Sequence, residues 1–85
     1  MPEISRFLGI VIYMYYKDHN PAHFHAIYGE YEIIVYIDTG VVEGKFPKRA
    51  LGHVIEWYEE YKDLLMEDWK LLESCKPLNK IPGLE

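Results

Sequence analysis

The dipeptide Gly29-Glu30 lies between two runs of β-branched and aromatic residues, His23–Tyr28 and Tyr31–Ile37, and constrains the fold more than any other feature. Two such runs joined by two residues read as a β-hairpin. Glycine suits the first central position of a II′ turn because it takes positive φ without steric cost. A two-residue loop also sets the register: Tyr28 faces Tyr31, Ala26 faces Ile33 and Phe24 faces Val35. Phe24, Ala26, Tyr28, Tyr31, Ile33, Val35 and Ile37 then share one strongly apolar face. His23, His25, Ile27, Glu32, Ile34 and Tyr36 share the other, so the histidines point away from the core.

The neighbouring segments agree with this hairpin. Ile10–Tyr16 is a further β-prone run, followed by the polar loop Lys17-Asp18-His19-Asn20-Pro21-Ala22, where Pro21 breaks pairing. Val41–Phe46 is a short fourth run. A tight turn at Thr39-Gly40 adds Val42, Gly44 and Phe46 to the apolar face and Glu43 and Lys45 to the other. Pro47 ends the sheet and opens a helix, in which Leu51, Val54, Ile55 and Tyr58 make an apolar stripe. Asp63 is expected to cap a second helix carrying Leu64, Leu65, Trp69 and Leu72, in preference to one continuous helix to about Ser74. The expectation is therefore an α+β domain: an antiparallel sheet of three to four strands, with one or two C-terminal helices packed on its apolar face.

Composition narrows the class. A chain of 85 residues holds one core, and an apolar fraction of 49% is enough to pack it. Eight Tyr, two Trp and three Phe exceed what so small a core needs, which points to a small protein partner or a homodimer. Cys75 is the sole cysteine, so no intrachain disulfide forms. The first residues carry neither a basic stretch nor a long apolar run; a cytoplasmic protein without membrane insertion is expected. A net charge of −5 argues against a general nucleic-acid binder. It leaves room for an enzyme meeting RNA at a local basic patch, for which Lys45, Lys48 and Arg49 are the candidates.

The chemistry concentrates in His19-Asn-Pro-Ala-His23-Phe-His25. Residues two apart on a strand share a face at roughly 6.5–7 Å, so His23 and His25 converge, and His19 can reach in from the loop. Three jobs fit. The imidazoles, with His19, His23 and His25 as candidates, can ligate a transition metal. His23 and His25 can act as general base and acid of a ribonuclease, metal-independent or metal-assisted, with Tyr36 and Asp38 assisting. They can also form a contact patch for an acidic partner. Against these stands the plain alternative that the histidines are strand residues hydrogen-bonded to Tyr36 or Asp38. Asp38, Glu32 and Glu43 can orient an imidazole or are solvated charges. Lys48 and Arg49 can hold a phosphate at the helix start, although exposed helix residues are the commoner explanation. His53 reads as surface, and Trp57 and Trp69 as core or interface. No P-loop, dinucleotide fingerprint or Ser-His-Asp order is present.

Several stretches resemble one family. They are Phe7-Leu-Gly-Ile10, Met14 through His-Asn-Pro-Ala-His-Phe-His-Ala to Gly29, Ile37-Asp-Thr-Gly40, Gly44-Lys-Phe-Pro-Lys-Arg-Ala-Leu51, Glu56-Trp57, Trp69 and Leu78–Leu84. Together they are similar to the bacterial and archaeal family named domain of unknown function 4160. The resemblance implies a component of a toxin–antitoxin-like gene pair, with the toxin role somewhat favoured. By position it carries over His19, Pro21, His23, Phe24, His25, Pro47 and Arg49. Ala22 stands where the family motif usually has a second proline. Tyr61 stands where members often carry a helical histidine, which weakens any mechanism needing one. The cofactor is left open.

Overall fold

The hairpin expected at Gly29-Glu30 forms as the turn chemistry requires. In the computed structural model, which describes residues 2–84, Gly29 takes φ +59°. Strands His23–Tyr28 and Tyr31–Tyr36 pair in the register derived above, Phe24 with Val35, Ala26 with Ile33 and Tyr28 with Tyr31. In chain order the elements are β1 (Glu3–Phe7), β2 (Ile10–Tyr13), β3 (His23–Tyr28), β4 (Tyr31–Tyr36), β5 (Val42–Gly44) and α1 (Lys48–Glu73). The strands form one antiparallel meander in the order β1-β2-β3-β4-β5.

The strand count exceeds the expectation by β1. Its link to β2 is the pair Leu8-Gly9, with φ +50° and +79°, and Phe7 faces Ile10 across it. Positive φ at both central residues is the I′ pattern that matches strand twist. β2 ends at Tyr13, short of the expected Tyr16, because the chain turns back at once: the Asp18 N–H donates to the Tyr15 carbonyl at 3.0 Å.

The β4–β5 turn is longer than two residues. The Tyr36 N–H donates to Val41 O (2.9 Å) and the Gly40 N–H to Tyr36 O (2.8 Å), leaving residues 37–40 as the loop. β5 consequently pairs two positions away from the expected register, with Val35 opposite Val42 and Ile33 opposite Gly44. A shift of two keeps every side chain on its face, so the assignment of core and outer faces survives.

One helix, Lys48–Glu73, follows, and it is kinked at Tyr61 (φ −114°, ψ 21°), two residues before the break expected at Asp63. Leu65, Trp69 and Leu72 continue the buried stripe of Ala50, Val54, Trp57 and Tyr58 across the kink. Leu51 and Ile55 flank the stripe half-buried. The helix covers the apolar face of the sheet: Phe24 and Phe7 pack on Trp57, and the Trp57 indole N–H donates to Pro82 O at 2.8 Å. The segment after the helix returns along β1, where the Ile81 N–H donates to Ile4 O at 2.8 Å.

Asp68 is the one buried carboxylate of the helix. Its Oδ1 accepts the Asn79 N–H at 3.0 Å, and its Oδ2 has no partner. Burial raises its pKa above the ordinary carboxylate value, while the Asn79 N–H pulls the other way and Glu67 adds to the rise. A carboxyl whose pKa is higher folded than unfolded binds more protons in the folded state. Stability therefore falls as pH rises from the unfolded value through the folded one. Urea unfolding of wild type and Asp68→Asn is expected to show the variant gaining on the wild type as pH rises through that window. A difference that stays constant with pH would remove Asp68 as the cause.

Candidate functional site

Strand alternation turns His23 and His25 away from α1, onto the face that the helix leaves uncovered. They are not, however, solvent-facing: His23 is 9% and His25 8% exposed. Three neighbours account for this. The Tyr15 ring meets His25 edge-on at 4.3 Å, Tyr36 lies 5.8 Å from His23, and Trp69 reaches from the helix to within 5.3 Å of His23. The Trp69 indole N–H donates to Asn20 Oδ1 (3.3 Å), which ties the loop after β2 to the end of the helix.

That loop delivers Asp18. Its Oδ2 lies 2.9 Å from His25 Nε2 and 3.2 Å from His23 Nε2, and it also accepts the Tyr15 N–H at 3.4 Å. The outer ring nitrogens are engaged as well: His23 Nδ1 lies 2.8 Å from Pro21 O and His25 Nδ1 lies 3.2 Å from Glu32 Oε2. Asp18, His23 and His25 each offer a ligand atom, all within 4.8 Å of one another. Such a centre can bind a cation, or it can shuttle a proton between imidazole and carboxylate.

The expected site residues divide. His23 and His25 come together, with Glu32 as an orienting carboxylate. Tyr36 stands beside them, and its hydroxyl donates to Glu43 Oε1 at 3.2 Å. Loss of hydration and this bond raise the Tyr36 pKa. His19 is exposed and stays outside the cluster. Asp38 is exposed in the β4–β5 loop, and its backbone carbonyl accepts from Lys62 Nζ at 3.5 Å. Lys48 and Arg49 are exposed at the start of α1. Arg49 lines a cavity of about 270 Å³ with Leu8, Tyr28, Pro47, Ala50 and His53. This cavity adjoins the Tyr28 end of β3, roughly 16 Å along the strand from His23, so the proposed phosphate contacts and the imidazoles are not brought together.

Asp18 and Trp69 are the site residues that the sequence reading missed. The spacing Asp-x4-His-x-His contains the ligand set, but only the turn at Tyr15–Asp18 shows that Asp18, not its neighbour His19, faces inward. Trp69 arrives from a different element altogether.

No curated protein and no solved structure matches the chain significantly. The family model described as Domain of unknown function (DUF4160) matches residues 9–70, a span that includes β2 to β5, the three clustered residues and most of α1. With more than half of its length covered by that match, the chain belongs to the DUF4160 family.

Proposed function

We propose that this chain is a partner-binding component of a small, cytoplasmic, toxin–antitoxin-like module, and that it docks a protein partner on the sheet face that α1 leaves uncovered. The observation that carries the reading is the composition of that face. An antiparallel sheet open to water ordinarily alternates to polar residues on its wet side. Here the outward positions include Val11, Tyr13, Ile27 and Ile34, adjacent across β2, β3 and β4 and each only half-buried. A contiguous apolar patch of this kind marks an interaction surface.

Charge selects the kind of partner. Glu32 and Glu43 are exposed at the patch edge, and Arg6 on the same face is held by Glu3 at 2.8 Å. A basic protein surface complements this rim, whereas a second copy of the chain would set acidic rim against acidic rim. No helix among the described residues is long and apolar enough to cross a membrane. RNA cleavage by His23 and His25 finds less support, because their ring nitrogens are already engaged and Lys48 and Arg49 lie at the far end of β3.

The test uses the protein encoded beside this one. Sedimentation of the mixture is expected to show a complex with wild type. Ile34→Asp should abolish that complex while the melting temperature stays within a few degrees, and Leu64→Asp, on the exposed helix surface, should retain it. A complex that survives Ile34→Asp, or a wild type that forms only homodimers, contradicts the reading.

A further inference from the structure

All four ring nitrogens of His23 and His25 face oxygen atoms. The Pro21 carbonyl can only accept, so the His23 proton sits on Nδ1. His23 Nε2 then turns a lone pair toward Asp18 Oδ2, 3.2 Å away. His25 meets a carboxylate at each nitrogen, Glu32 at 3.2 Å and Asp18 at 2.9 Å. A neutral imidazole has one N–H, so one nitrogen of each ring has no proton to donate. The two rings lie with centroids 5.2 Å apart and side chains only 11% and 10% exposed. A single metal cation among the inner atoms accepts both lone pairs and the carboxylate oxygen at once.

The outer contacts favour the cation. Metal-ligating histidines characteristically give their second N–H to a backbone carbonyl or a carboxylate, which fixes the tautomer and aims the other nitrogen at the metal. Both arrangements are present: His23 Nδ1 on Pro21 O, and His25 Nδ1 on Glu32. Both Nε2 atoms turn inward on the same oxygen of Asp18.

We propose that Asp18 Oδ2, His23 Nε2 and His25 Nε2 form a binding site for one divalent first-row transition-metal ion, with zinc the best match. Two imidazoles and one carboxylate suit zinc, cobalt, nickel or copper over magnesium or calcium. Zinc bonds of about 2.0–2.2 Å in tetrahedral geometry place ligand atoms about 3.3–3.5 Å apart. The two Asp18–imidazole separations, 2.9 and 3.2 Å, are close to that spacing, and all three ligand atoms lie within 4.8 Å of one another. The fourth position falls to water or to a donor from a docked partner. Glu32 acts as a positioning residue through His25.

Equilibrium dialysis of tag-free protein against zinc tests the site. Wild type is expected to bind one zinc per chain with a rise in melting temperature, and His19→Ala and His53→Ala to bind as wild type does. Glu32→Gln should bind 10–100-fold more weakly, the usual loss when an outer partner of a ligand is removed. Asp18→Ala and His25→Ala should lose at least 100-fold. X-ray absorption of the zinc-loaded wild type, which depends on no variant folding, should show two imidazole ligands. Substoichiometric zinc in wild type, zinc bound through fewer than two imidazoles, or undiminished binding by Asp18→Ala overturns the assignment.

Discussion

Trp57→Ala is expected to lower the melting temperature by about 15–30 °C or to abolish the cooperative transition. Trp57 is fully buried, packs on Phe7 at 5.3 Å and Phe24 at 5.6 Å, and donates its indole N–H to Pro82 O. A buried Trp→Ala change costs about 3–5 kcal/mol. For a domain of this size, each kcal/mol moves the midpoint by about 4–8 °C. The loss is large against a total stability on the order of 5–10 kcal/mol. The same side chain joins the helix, the sheet and the returning C-terminal segment, so its removal loosens three contacts at once. Thermal melts by circular dichroism check this, and a midpoint within a few degrees of wild type would mean that the core does not depend on this indole.

Gly44→Ala should be the most damaging change to any glycine. Gly44 holds φ +111°, and a Cβ there would sit 2.6 Å from Glu32 O and 3.2 Å from Ile33 Cα. Both obstacles are backbone, so no side chain can swing aside; β5 would have to lift from β4. Strain and overpacking together are expected to cost about 2–4 kcal/mol. Gly52→Ala makes the contrast. It lies in α1 with nothing within 4 Å of the new Cβ, and it should stabilise by about 1 kcal/mol through helix propensity. Urea midpoints of the two variants measure the difference, and shifts of the same sign would refute the backbone-clash argument.

These positions also show what a sequence can reveal. The β3–β4 register was legible because a glycine turn and two period-two patterns agreed on one pairing. β1 was not, because Leu8-Gly9 carries the I′ conformation without the Asn or Asp that usually announces it. The β4–β5 loop differed in length, yet a shift of two residues preserved both faces. A capping residue at Asp63 signals a helix break, and the helix kinks two residues earlier, at Tyr61, while the packing of Leu65, Trp69 and Leu72 keeps the buried stripe continuous across it. At the site, period two was enough to pair His23 with His25. The burial of these residues was invisible in the strand, since it is supplied by Tyr15, Tyr36 and a tryptophan 46 residues beyond His23. Choosing Asp18 over His19 required the turn that carries Asp18 back toward the sheet, and no local pattern encodes that direction.

Diffraction from zinc-soaked crystals, recorded above and below the zinc absorption edge, tests the Asp18–His23–His25 centre most directly. The result expected is one strong anomalous peak per chain, about 2.0–2.2 Å from His23 Nε2, His25 Nε2 and Asp18 Oδ2. His23 Nδ1 should still lie on Pro21 O and His25 Nδ1 on Glu32. A centre without a peak, with zinc found only at exposed His19 or at His53, would contradict it and leave the cluster as an imidazole–carboxylate hydrogen-bond network.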